Sequence, residues 1–220
     1  MKKQFRKTVI INRAVPGSGK TTLSRCINTT LRNAGLQVVT HSTDDFFMMG
    51  NRYCFDICKL HEYHQQNLRN FRRSLEKQID VVICDNTNLQ PWQTVPYTSL
   101  AREFGYQIIF LNLIPRELHK HVQAQQITPE KPDAHEVPEE QLIHFIAAFN
   151  SYNSLLCKEN KVDPECHYHF IWNTEKLFPE ISGTAEHFDL DHLITIQPDE
   201  YREVQDHIGS DFLKLIKVCF

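Results

Sequence analysis

A chain of 220 residues, 41% hydrophobic and 23% charged, can bury one substantial core but is short for two complete domains. That composition excludes a disordered polymer, and no apolar run approaches the roughly 20 residues a membrane helix needs. The net charge of −3 conceals an asymmetry: residues 1–113 hold 15 Lys/Arg against 8 Asp/Glu, and residues 114–220 hold 9 against 19. A basic first half favours a phosphorylated partner, with a mixed, solvated surface as the alternative.

The basic start runs into KTVIINRA, an apolar stretch too interrupted for a signal peptide and expected to form a first strand. A Gly-rich turn follows, then a helix to about residue 33. LQVVTHS is expected as a second strand, residues 55–77 have helical spacing, and DVVICD is a buried strand bounded by turn residues. PWQTVPYTSLAREFG opens on Pro and closes on Gly, as helices often do. YQIIFLNLI is a further strand, PRELHKHVQAQ a helix, and the three prolines of ITPEKPDAHEVP mark a loop. PEEQLIHFIAAFNSYNSLL is an amphipathic helix, and residues 158–186 are irregular. HFDLDHLITIQ is expected as a late strand, and PDEYREVQDHIGSDFLKLIKV as a closing helix with a weak point or break at Gly209.

Strands alternating with helices predict an α/β fold: a parallel sheet covered on both faces, in a three-layer sandwich. The expected organisation is a single domain over 1–220. Its core spans about 8–150 plus a late strand and helix at about 187–217, with an insertion at about 150–186.

The seven cysteines are irregularly spaced in a chain that needs no disulfide staples, so reduced thiols and a cytoplasmic location are expected. CHYH, residues 166–169, with Cys157 nearby, is a zinc candidate lacking a second matched pair.

The segment AVPGSGKTT matches the phosphate-loop pattern G-x-x-x-x-G-K-[ST], with Ala14 in the first glycine's place, and makes the expected sandwich that of a P-loop NTPase. Backbone N–H groups of Pro16–Thr22, Pro16 excepted, and the following helix N-terminus suit phosphate oxygens. The candidate nucleotide-binding residues are therefore Pro16, Gly17, Ser18, Gly19, Lys20, Thr21 and Thr22. Lys20 is expected to neutralise the β- and γ-phosphates of ATP, and the Thr21 hydroxyl to ligate Mg2+. Asp44 and Asp45 follow the second strand, where a carboxylate could take the proton of an acceptor hydroxyl; capping a helix is the alternative role. Asp85 ends an apolar strand, as an acid serving the metal does, and Asn86 and Asn88 either fix the adjoining loop or reach substrate.

These residues resemble P-loop kinases of the polynucleotide-kinase type, including phage 5′-hydroxyl kinases and related small kinase domains. The resemblance rests on PGSGKTT, STDDFF, LHEYHQQN, and VVICDNTN followed by PWQTVPY, and continues through HEVPEEQLIHFIAAF; it covers residues 8–150 well and the rest weakly. It implies that Lys20 and Thr21 serve ATP and Mg2+, that Asp44 is the general base, and that Asp85 is the second acidic element; Lys20, Asp44 and Asp85 form the catalytic set, Thr21 and Asp85 the metal set. His61 lies in a motif segment without an assigned role.

Two departures stand out. In such kinases an arginine commonly follows the acid pair by two residues, where this chain has Phe47. A lid arginine is also expected near Gln125; from Arg116 to His144 there are only Arg116, Lys120 and Lys131 against six acids. The function expected is phosphoryl transfer from ATP to a hydroxyl, best matched by a polynucleotide 5′-hydroxyl. RNFRR, residues 69–73, is a candidate phosphate contact or simply a solvated helix face. The alternatives are a nucleoside or small-metabolite kinase, or an ATP-binding module of weak activity that regulates a protein partner. The sequence leaves the oligomeric state open.

Overall fold

The computed structural model describes residues 5–50, 52–126, 137–159 and 190–217. Residues 127–136 of the loop expected over 127–138, the zinc candidate at 166–169 and Lys131 lie outside the described residues.

Five parallel strands form the sheet: β1 (Thr8–Ala14), β2 (Val38–His41), β5 (Val81–Cys84), β6 (Gln107–Leu113) and β7 (His192–Ile196), in the order β2-β5-β1-β6-β7. β1, β5 and β6 are buried along their whole length, as strands covered on both faces must be. Their alternation divides the core. Ile10, Ile83 and Ile109 face α1 (Lys20–Asn33) and α6 (Tyr201–Ile216), which contribute Leu23, Ile27, Ile208 and Phe212. Val9, Val82 and Ile108 face the opposite layer, formed by α2 (Ile57–Glu76), α3 (Pro91–Glu103) and α5 (Glu139–Glu159), through Phe71, Tyr97 and Tyr152. The result is the expected three-layer α/β architecture. α4 (Leu118–Gln126) packs with α5 around a smaller cluster that includes Val15, Leu89 and Phe149.

Strand order runs outward from β1 in both directions, to β5 and β2 on one side and to β6 and β7 on the other, with every strand parallel. Such a switch point opens a crevice beyond the carboxyl ends of the strands, and β1 ends there at the Gly-rich loop.

One local expectation needs correction, and two others are sharpened. Gly209 does not break α6, which runs unbroken from Tyr201 to Ile216. Instead the missing side chain lets α6 approach α1: a Cβ at Gly209 would collide with the Thr30 side chain. The helix expected over 138–156 is α5, which continues to Glu159 and buries Tyr152 and Leu156 in the core; residues 160–186 of the expected insertion lie outside the described residues. The arginines of RNFRR sit in the C-terminal half of α2, away from the crevice. Arg72 pairs with Glu76 at 3.1 Å and Glu103 at 3.2 Å, and Arg69 donates to Gln66 at 2.7 Å, so this stretch is a solvated helix face.

The sequence patterns also passed over a short hairpin, β3 (Met48–Met49) paired antiparallel with β4 (Arg52–Tyr53), which follows a 3-10 turn, η1 (Asp44–Phe47). Two-residue strands are too short to show a periodicity.

Candidate functional site

The Gly-rich loop links β1 to α1. Gly17 and Gly19 take left-handed φ values of 80° and 87°, a region open to glycine at little cost. Ala14 in the first glycine's place is fully buried on the α1/α6 side of the sheet, where its methyl group packs in the core, and its N–H still bonds the Thr87 carbonyl at 3.0 Å. Gly19 caps α1 without a side-chain hydrogen bond, and the helix has no acidic residue in its first turn. An N-terminus left open in this way suits an anion. Ser18 is 4% exposed, and its hydroxyl has no partner among the described residues.

Lys20 reaches across to the end of β5. Its Nζ lies 2.9 Å from Asp85 Oδ1 and donates to the Asp85 carbonyl at 2.6 Å. The same carboxylate oxygen accepts from Asn12 Nδ2 at 2.7 Å and Ser24 Oγ at 3.0 Å. Asp85 is 3% exposed, so its charge is held almost entirely by this set.

Beside Asp85 a cavity of about 450 Å³ opens between α1, the end of β2, η1 and the hairpin. Thr21 and Asp85 line it, together with Asp44, Asp45 and Tyr53. The oxygen donors of Thr21 and Asp85 fit the preference of Mg2+ for hard ligands. The N-cap of η1 is Thr43, without a side-chain cap bond, so capping is not what Asp44 does. Tyr53 instead donates a hydrogen bond to the Asp44 side chain, and burial together with that carboxylate raises the Tyr53 pKa above its ordinary value. His64, not the neighbouring His61, is the motif histidine that reaches η1: its Nδ1 lies 3.1 Å from Thr43 Oγ1. His61 is exposed and pairs with Gln65.

Asn86 and Asn88 hold the loop. Asn86 Oδ1 accepts from the Thr43 N–H at 2.9 Å, fastening η1 to the end of β5, while its amide donates to Tyr97 at 3.1 Å. Asn88, with φ at 49°, donates to the Asn12 carbonyl at 2.7 Å. Phe47, in the place of the expected arginine, is 2% exposed and packs on Tyr53, Phe55 and Tyr63. It is a core residue of the hairpin and offers no charge to the cavity.

Three further residues, Arg13, His121 and Tyr201, shape the loop and escaped the sequence patterns. Arg13 is fully buried in β1, where it donates to the Asn88 carbonyl at 3.0 Å and Asn112 Oδ1 at 3.1 Å. Its guanidinium stacks 4.0 Å from the Tyr152 ring centroid and 4.9 Å from that of Phe149. Burial pushes its pKa down to about 9, and part of the basic charge counted in the first half is therefore internal. His121, also fully buried, accepts the Arg116 N–H at Nε2 (3.0 Å), which fixes the proton on Nδ1, donated to the Pro16 carbonyl at 2.9 Å. Burial lowers the His121 pKa, favouring this neutral tautomer. Tyr201, at the start of α6, donates to the Gly19 carbonyl at 3.1 Å and shares a hydrogen bond with the Thr22 side chain. A Cβ at Gly19 would collide with its hydroxyl. The Arg116 guanidinium stacks over the Tyr201 ring at 5.3 Å.

On the lid side, Gln125 is occupied structurally: its Oε1 accepts the Val137 N–H at 2.6 Å. Lys120 is exposed and 4.0 Å from Glu117. Of the two described cations proposed to replace the lid arginine, Arg116 rather than Lys120 stacks on Tyr201, which bonds the phosphate loop.

The sheet order, the Gly-rich loop after β1 and the acid at the end of β5 define a P-loop kinase-like fold. The chain belongs to the AAA domain family, which matches residues 9–151. It is 38% identical over 102 residues to human NEDD4-binding protein 2, a stretch covering 46% of this chain and 6% of that protein. The chain thus spans a small part of that relative's length. Among solved structures, a gluconokinase from Sinorhizobium meliloti 1021 superposes with a TM-score of 0.51 at 14% identity, covering 97% of this chain and 95% of its own. Kti12 from Chaetomium thermophilum, in complex with ADP-AlF3, gives 0.54 at 10% identity, covering 94% and 98%. At such identities the likeness is one of fold. Among the described residues no helix is long and apolar enough to cross a membrane.

Proposed function

We propose that this protein is an ATP-dependent phosphotransferase that moves the γ-phosphate to a hydroxyl, with a polynucleotide 5′-hydroxyl as the acceptor. One observation carries the reading: Thr21, Asp44 and Asp85 line a single cavity. Lys20 and the backbone N–H groups of residues 17–22 hold the triphosphate. Mg2+, held by Thr21 and Asp85 when bound, supplies charge neutralisation at the phosphates. Lys20 leaves the Asp85 side chain for the phosphates as the nucleotide enters, both partners staying within the same charge cluster. Asp44, steadied by Tyr53, accepts the proton of the acceptor hydroxyl. The new bond joins that oxygen to the γ-phosphorus, the bond to the β-phosphate oxygen breaks, and ADP departs with the electron pair. Arg116 takes the place of the lid arginine. A cytoplasmic setting belongs to the same reading, resting on the irregular cysteines.

A second reading, an ATP-binding module that regulates a protein partner, draws on Gln125, which holds Val137 where a catalytic arginine is expected. A screen with labelled ATP separates the two. Transfer to single-stranded DNA or RNA bearing a 5′-hydroxyl supports the polynucleotide kinase, and transfer to small hydroxyl compounds alone supports a metabolite kinase. ATP binding with no labelled acceptor, coupled to ATP-dependent capture of a protein, supports the module.

A further inference from the structure

The cavity does not end at Asp44. It extends as a groove down one face of α1, lined in turn by Thr21, Arg25, Asn28 and Arg32. Those positions recur at spacings of four, three and four, so they form one stripe of the helix. From Thr21 to Arg32 is eleven residues, or about 16 Å at about 1.5 Å per residue. The groove's lining also carries Asp44, Asp45 and Asp85, the last matched by Lys20. Arg32 is fixed in the groove by a hydrogen bond to the Val38 carbonyl, and Asn28 by one to Thr40 Oγ1 at 3.1 Å. The arginine expected beside the acid pair is replaced by Phe47, which is sealed in the hairpin core. The cations that face an acceptor in this cavity come from α1.

From this arrangement we infer that Arg25 and Arg32 form an anion track for the acceptor, binding phosphodiester groups that follow the hydroxyl presented to Asp44. The inference rests on the kinase reading for its direction, from Asp44 outward, but the track is a binding site in its own right. The two arginines are seven residues, or about 10 Å, apart along the helix axis, which suits anionic groups in series better than one compact phosphate. Each guanidinium can pair with a phosphate through parallel N–H bonds, which a lysine's ammonium does not reproduce.

The test uses the full chain and separates this inference from the kinase reading. Binding of a fluorescent hexathymidylate with a 5′-hydroxyl is measured by anisotropy across a salt series, for wild type, R25Q, R32Q and R72Q. Affinity is expected to fall roughly tenfold in R25Q and less in R32Q, with the log–log salt slope shallower by about 0.7 per lost contact. R72Q, altered on the solvated face of α2, should bind as wild type does. Circular dichroism melting confirms that each variant is folded; if R25Q or R32Q does not fold, the lysine variants R25K and R32K replace it, with weaker binding again expected. Transfer from ATP is then compared between thymidine, thymidine 3′-phosphate and the hexamer. A rise in kcat/KM along that series, lost in R25Q, supports the track and distinguishes a single phosphate from a chain. Equal binding by wild type, R25Q and R32Q overturns the inference, whether or not transfer occurs. Transfer to thymidine as efficient as to the hexamer also overturns it, while leaving the kinase reading intact. If no compound is phosphorylated, the kinase reading fails and the binding arm alone decides the track.

Discussion

On the proposed nucleotide side one continuous segment, residues 14–22, supplies the left-handed glycines, the helix N-terminus, the lysine and the hydroxyl. On the acceptor side the cavity wall is assembled from α1, the end of β2, η1 and the hairpin, with Asn86 fastening η1 to β5. The first half is nearly a local property of the chain, because its geometry follows from φ angles and a helix end. The second depends on contacts between segments far apart in sequence, and it is there that Phe47 displaces an expected arginine. A site of this kind can keep its donor half constant while its acceptor half is rebuilt.

Substitutions can break that comparison one side at a time. Lys20→Ala should remove the donor half outright. Transfer is expected to fall by about a thousandfold or more, and ATP affinity to fall with it, since the lysine serves both the bound nucleotide and the charge developing in the transition state. Retained ATP binding in isothermal titration would show that the loop backbone suffices for affinity.

Tyr53→Phe acts on the acceptor half. Losing one hydrogen bond to a carboxylate should lower kcat by about tenfold with ATP affinity unchanged. An unchanged kcat would mean that Asp44 needs no support from the hairpin.

The smallest effect concerns the scaffold under the acceptor wall. His41, at the end of β2, bonds Ser74 Oγ at 2.8 Å, and burial pushes its pKa down to about 4. Between the ordinary value of about 6.5 and 4, the unfolded chain binds a proton that the folded chain refuses, so stability falls as pH drops through that window. The expected loss is on the order of 3 kcal/mol by pH 4, and His41→Gln should flatten that part of the pH–stability curve read from urea unfolding. A slope unaffected by the substitution would assign it to other groups.

Much of this was legible in the sequence. The strand–helix alternation gave the sheet, the Gly-rich loop was contiguous, and the two acids followed apolar strands at the sheet's carboxyl edge. What could not be read shares a physical cause. Arg13 sits in a strand whose pattern says only that it is buried, and its partners Asn112, Phe149 and Tyr152 come from β6 and α5. His121 and Tyr201 meet the phosphate loop from about 100 and 180 residues away. Gly209 carried the local cost of a glycine in a helix, but the reason for it, the approach of α6 to α1, is tertiary. Tyr53 lies on a hairpin shorter than any period. In each case the local chemistry was visible and the partner was not.

The central claim is that Thr21, Asp44 and Asp85, which line one cavity, perform phosphoryl transfer. Single-turnover transfer from γ-labelled ATP to a 5′-hydroxyl oligonucleotide, compared between wild type and Asp44→Asn with the ATP dissociation constant measured in parallel, tests it most directly. The account predicts transfer slowed by about a hundredfold or more at unchanged ATP affinity. Equal rates in the two proteins, or no transfer by the wild type to any hydroxyl acceptor, would contradict it.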